Sequence, residues 1–324
     1  MSKIPKILKI AVIPVTITLM ALAYGAFRKK AHQPAAQKAV INQVVKKHKK
    51  SDTTNTVTPA DVILDFNGVA FEINKHKAGS VLGIGNVLSY AMSGNSPKNL
   101  ENIMFDVLYK LDKQLGLPAH GTSVMHKDKP LPRVMTSWMR GDIKGCDIIT
   151  KLNGLIEQLD QEQFFASDKE KVLIQRLGCV FFDPCTRVKL YKPIKKTVKL
   201  IKQCKDLGHR VFLLSNIDTE LITLLQQEHP EIFDLFDGMV LSADAKMIKP
   251  DANIYEHIKR KYNITNAVFL DDEQANCKGA ELVAGLKGIE YNPQEMGQKE
   301  LRAVKQELVM NNILPAGKRA VQMA

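Results

Sequence analysis

At 324 residues and 45% hydrophobic content, the chain can hold one large domain or two smaller ones with real apolar cores. Its net charge of +12 is unevenly placed, because residues 1–60 carry eleven Lys and Arg against Asp52 alone. The rest is near neutral, which argues against a broad nucleic-acid-binding face, and no nucleic-acid partner is expected. The five cysteines (Cys146, Cys179, Cys185, Cys204, Cys277) are odd in number and form no C-x-x-C pair, so they read as free thiols rather than a disulfide framework or a zinc site.

Residues 1–30 contain an apolar run from Ile10 to Phe27, broken only by Thr, Pro14 and Gly25. Eighteen residues suffice for a short transmembrane helix. Three lysines precede the run and eight basic residues follow it between Arg28 and Lys50. That bias predicts a retained anchor with the main domain on the cytoplasmic side of a membrane. The competing reading is a cleaved signal peptide and export, with Ala21-Leu22-Ala23 as the small-residue site. Residues 31–58 read as a basic, flexible tether.

Val62-Ile63-Leu64 then reads as a buried strand ending in Asp65-Phe66-Asn67-Gly68. A long helical stretch follows, with apolar periodicity near 79–93, 98–115, 145–159 and 168–178. From Pro193 the pattern alternates helix and strand. Helices are expected over 193–207, 218–228, 251–262, 274–284 and 297–310; strands over 211–214, 238–241, 267–270 and 288–291. Such alternation implies a parallel sheet with right-handed crossovers. The excursion after the first strand is too long for a loop. The expected organisation is therefore an α/β core of residues 59–71 and 193–312, an inserted helical domain over 72–192, and a tail over 313–324.

Four strand ends offer polar groups that a parallel sheet would gather along one edge: Asp65, Ser215-Asn216, Lys249-Pro250 and Asp271-Asp272. Singly, such residues are ordinary helix caps and turns. Taken in this order, with their lead-in strands, the chain resembles the haloacid dehalogenase superfamily, as a capped, phosphatase-type member over about residues 61–295. Trp138-Met139-Arg140-Gly141-Asp142-Ile143 also resembles a turn of its sugar-phosphatase-like branch. The resemblance implies a Rossmann-like parallel sheet flanked by helices with an inserted helical cap.

The resemblance also implies roles. Asp65 would be the nucleophile that forms an aspartyl-phosphate on a small phosphorylated substrate. Mg²⁺ would be held by Asp65, Asp271 and the main-chain carbonyl of Asn67, with Asp272 supporting it. Lys249 would neutralise the phosphate, and the Ser215 hydroxyl with the Asn216 main-chain N–H would grip its oxygens. The departure from the family pattern is Asn67, where a second Asp usually protonates the leaving alcohol. Asn transfers no proton, and such help is typically worth about 10²–10⁴-fold. Two other readings stand beside the phosphatase: a catalytically degenerate module that binds a ligand or partner, and, far behind, C–halogen hydrolysis, which has no need of paired Asp271 and Asp272.

Overall fold

A computed structural model of the chain describes residues 60–94, 97–117, 124–126 and 129–315. The N-terminal apolar run, the basic tether and the segment after Pro315 lie outside the described residues. Among the described residues no helix is long and apolar enough to cross a membrane.

Strand β1 (Asp61–Leu64) enters the centre of the fold, and β2 (Phe71–Ile73) leads away from it. Helices α1 (Lys75–Leu82), α2 (Ile84–Met92) and α3 (Pro97–Leu115) come next, then the two-residue strands β3 (Met125–His126) and β4 (Lys129–Pro130). Helices α4 (Arg133–Met139), α5 (Gly145–Gln161), α6 (Asp168–Phe182) and α7 (Pro184–Val188) complete the excursion, and β5 (Tyr191–Pro193) returns. The chain then alternates through α8 (Lys195–Asp206), β6 (Val211–Ser215), α9 (Thr219–Glu228), α10 (Pro230–Phe233), β7 (Gly238–Leu241) and α11 (Ser242–Ala245). It ends with α12 (Ala252–Tyr262), β8 (Ala267–Asp271), α13 (Gln274–Glu281), β9 (Leu286–Glu290) and α14 (Gln298–Met310).

The main sheet has the order β7-β6-β1-β8-β9, and every pairing in it is parallel. Side-chain alternation explains why β1, β6 and β8 carry unbroken apolar runs, over residues 62–64, 211–214 and 267–270: both faces of the sheet are covered. Val62, Leu64, Val211, Val268 and Leu270 pack with Leu200 of α8 and Leu308 of α14. Ile63, Phe212, Leu214, Ala267 and Phe269 pack with Ile254 and Ile258 of α12 on the other side. Ile313 and Leu314, expected in the tail, are buried in the first of these clusters.

The helical insertion leaves and re-enters through a two-stranded antiparallel ribbon, with Phe71 opposite Pro193 and Ile73 opposite Tyr191. Its own core gathers Leu100, Met104, Leu108 and Leu111 of α3 with Ile148, Leu152 and Ile156 of α5 and Leu173, Ile174 and Leu177 of α6. These positions recur at three- and four-residue steps, the spacing of one helix face.

Several expected boundaries move. Pro193 closes β5 instead of opening a helix, because its backbone lies in the ribbon opposite Phe71. The helix expected over 79–93 is two, broken at Gly83 with φ 77°, a conformation side chains other than Gly rarely adopt. The Arg176 guanidinium donates to the Leu82 carbonyl there at 2.9 Å, and a Cβ on Gly83 would lie 2.0 Å from it. The last strand is Leu286–Glu290, two residues earlier than expected, in register with β8.

Candidate active site

Asp65 sits one residue beyond β1, and its N–H donates to the Leu270 carbonyl of β8 at 2.9 Å. The chain must then turn sharply. Gly68 takes φ 81° and its N–H donates to Phe71 at 2.7 Å, while the N–H groups of Ala70 and Phe71 both reach back to Phe66. This tight loop carries Asn67, whose Oδ1 is buried without a hydrogen-bond partner.

The predicted groups from the ends of β6 and β8, and Lys249 from the loop between α11 and α12, come to the same place. Lys249, 2% exposed, donates from Nζ to Asp65 Oδ1 at 2.6 Å and to Asp271 Oδ2 at 2.7 Å. Its backbone is fixed by the Asn216 carboxamide, which donates to the Lys249 carbonyl at 2.9 Å and accepts from its N–H at 2.8 Å. The Asn216 side chain therefore serves Lys249, leaving its main-chain N–H for the phosphate role expected of it. Ser215 ends β6 in a buried position.

Asp271, fully buried at the end of β8, accepts at Oδ1 from the Glu273 N–H (2.8 Å) and from Asn276 Nδ2 (3.1 Å). Asn276 thus holds Asp271 in place, and its own carbonyl is held by the Tyr255 hydroxyl at 2.8 Å. Asp272 is half-buried beside it. Ligand oxygens of Asp65, Asp271 and Asp272 all lie within 4.8 Å of one another.

Three carboxylates against one ammonium leave this edge short of positive charge. Burial, reinforced by Asp271, pushes the Asp65 carboxyl up from 3.8 to about 6 even though Lys249 opposes the shift. Burial alone would lower the Lys249 ammonium; Asp271 and Asp65 more than offset it and hold the group charged. Glu273 is pushed well above the usual carboxylate range by burial and by Asp271 and Asp272. A convergent all-oxygen donor set with excess negative charge fits a hard dication of the Mg²⁺ type.

Two contributors escape sequence reasoning. Glu273, third acid of the Asp271-Asp272-Glu273 run, accepts from Asn276 Nδ2 at 3.2 Å; the run itself was the available signal. Ser242, at the end of β7, had none, because its partners are remote in sequence.

This edge of a parallel α/β sheet thus gathers three carboxylates around one buried lysine that bridges two of them, a donor set that could hold a dication. A family model described as haloacid dehalogenase-like hydrolase matches residues 117–283, just over half of the chain. The chain belongs to that family. Asp65 precedes the matched residues, so its part in the site rests on the geometry above. The sesquiterpene phosphatase AstK of Aspergillus oryzae is 32% identical over 113 residues, 34% of this chain and 57% of that protein, so the match spans a little over half of the relative. Among solved structures, the magnesium and phosphate complex of a HAD family enzyme from Bacteroides thetaiotaomicron is 14% identical with a TM-score of 0.44, covering 75% of this chain and 98% of that one. L-2-haloacid dehalogenase from Xanthobacter autotrophicus, with chloropropionic acid covalently bound, is 14% identical with a TM-score of 0.40, covering 80% and 85%.

Proposed function

We propose that this chain hydrolyses a phosphomonoester of a small metabolite, with Asp65 as nucleophile. The observation that carries the reading is the buried Lys249 bridge between Asp65 and Asp271, with Asp272 beside them. A stabilising ion pair would need one carboxylate, and burying more is costly unless a ligand compensates. Asp65 attacks phosphorus, a bond forms from its carboxylate oxygen, and the phosphorus–oxygen bond to the alcohol breaks. Lys249, the Ser215 hydroxyl and the Asn216 main-chain N–H offset charge on the phosphoryl oxygens. The departing oxygen takes its proton from water, because Asn67 has none to give. Water then attacks phosphorus, releasing inorganic phosphate and restoring Asp65. Asp65, Asp271 and the main-chain carbonyl of Asn67 would hold Mg²⁺, with Asp272 supporting it, and the ion would supply positive charge that offsets the repulsion between the two anions.

The proposal extends to a chain held at a membrane by residues 10–27 with its main domain cytoplasmic; the apolar run and its flanking charge support this, and carbonate extraction tests it. Asn67 favours a second reading, a site that binds a phosphorylated ligand or a partner without turnover. The deciding experiment assays p-nitrophenyl phosphate, a sugar phosphate and a prenyl monophosphate, the last prompted by the AstK relative, with and without Mg²⁺. Mg²⁺-dependent turnover abolished by Asp65→Asn establishes the enzyme. Asn67→Asp is expected to raise turnover most on alkyl esters, by up to about 10²–10⁴-fold. Silence in both the native and Asn67→Asp forms would leave the binding module.

A further inference from the structure

Ser242 is fully buried where β7 passes into α11. Its oxygen accepts from the Ile217 N–H at 2.9 Å, and its hydroxyl donates to the Met139 carbonyl at 2.6 Å. One side chain thus joins two segments more than 70 residues apart in sequence. Ile217 directly follows Ser215-Asn216, and Asn216 holds both backbone groups of Lys249. Met139 ends α4 of the insertion and leads into Arg140-Gly141-Asp142.

That turn is seated closely on α11. Gly141 adopts φ 67°, and a Cβ there would lie 2.7 Å from the Ala243 carbonyl. Lys246 Nζ donates to the Gly141 carbonyl at 2.5 Å. A second tie grips the other end of the same core loop: the Arg187 guanidinium lies 4.7 Å from the Trp138 ring centroid and pairs with Asp218. Asp218 in turn caps α9 by accepting from the Leu221 N–H at 2.8 Å.

We infer that Ser242 is a positioning residue, which transmits the seating of the helical insertion to the Ser215–Asp218 loop and through Asn216 to Lys249. The inference deepens the proposed phosphatase reading and rests on it for the meaning of that loop. Ser242 touches none of Asp65, Asp271 or Asp272 through the hydrogen bonds described, so it acts on phosphate binding without acting on the metal ligands. Removing its hydroxyl leaves a buried N–H and a buried carbonyl unpartnered, and small displacements of positioning groups are expensive in rate.

The test uses the full chain, with p-nitrophenyl phosphate for turnover and inorganic phosphate with Mg²⁺ for calorimetric binding. In Ser242→Ala, kcat/KM is expected to fall about 10–100-fold and phosphate to bind about tenfold more weakly. The Mg²⁺ midpoint should stay within about twofold. Ser242→Cys, which keeps a weak donor and acceptor, should fall between Ser242→Ala and the native chain. Leu152→Ala, a cavity in the insertion core, controls for lost stability alone and should leave both phosphate readouts unchanged below its Tm. Phosphate affinity equal to the native value in Ser242→Ala, or in Ser242→Cys where the first does not fold, overturns the inference. So does a loss that Leu152→Ala reproduces. A native chain that binds phosphate but never turns over p-nitrophenyl phosphate defeats the phosphatase reading, while the difference in phosphate affinity still decides the role of Ser242.

Discussion

The carboxyl edge of the sheet and the interior of the helical insertion both bury acidic groups, and they treat them in opposite ways. In the insertion, Glu170 accepts from the Tyr90 hydroxyl at 3.1 Å and from the Ala166 N–H at 3.0 Å. Asp112 accepts from the N–H groups of Arg133 and Val134 at 2.6 and 2.7 Å, capping α4, whose own N-cap, Pro132, offers no side-chain acceptor. These two carboxylates are consumed by neighbouring structural donors. At the sheet edge, Asp65, Asp271 and Asp272 crowd around a single lysine, and burial, reinforced by Asp271, pushes Asp65 up to about 6. Satisfied acids hold a scaffold together, whereas acids left in excess mark a place for a cation and an anionic substrate.

The largest effect should come from Lys249→Met. It removes the cation shared by Asp65 and Asp271, and turnover of p-nitrophenyl phosphate should drop by at least about 10³-fold. Because two buried carboxylates then face each other unpaired, the loss of Tm should be greater at pH 8 than at pH 5.5. An equal loss at both pH values would mean that the edge is as well compensated as the insertion.

Next in size is Leu152→Ala, which empties space between α5 and α6 and should cost about 2–5 kcal/mol in chemical denaturation. Its kcat below the melting transition should match the native value, since the fixed geometry of the site lies in the sheet. A kcat falling in step with stability would erase the contrast between the two regions.

The smallest effect sharpens the comparison through pH. Asp65 is raised from 3.8 to about 6 on folding, so the stability contributed by its proton is present below pH 3.8 and is lost as pH rises through about 6. The half-buried Glu273, raised by desolvation and its acidic neighbours, acts in the same direction. Mg²⁺ bound at Asp65, as proposed, would have to displace its proton. Its affinity, read from metal-induced Tm shifts, should climb up to about tenfold per pH unit below pH 6 and level off above it. Asp65→Asn should flatten that dependence, and an unchanged slope would place the titrating group elsewhere.

Much of this arrangement is written locally in the chain. The apolar runs of β1, β6 and β8 forecast strands buried on both faces, and a parallel sheet brings their carboxyl ends together as a matter of geometry. Asp65, Ser215, Lys249 and Asp271-Asp272 could be singled out for that reason, and so could Asn67 with its lack of an acidic proton. The helices of the insertion announce themselves by three- and four-residue spacing.

Other features depended on partners far away in sequence. The three-residue strands β2 and β5 are too short to show alternation and exist because they pair with each other. Gly83 breaks a helix that periodicity would have continued, where the Arg176 guanidinium reaches across to the Leu82 carbonyl. The two-bond Asn216 grip on Lys249 and the Ser242 link to Met139 each join remote segments by directional hydrogen bonds. Burial leaves a periodic trace in the sequence because it repeats along an element. A single long-range hydrogen bond leaves none, so the chain by itself determined which groups meet at the sheet edge, and only the tertiary structure decided how they are held there.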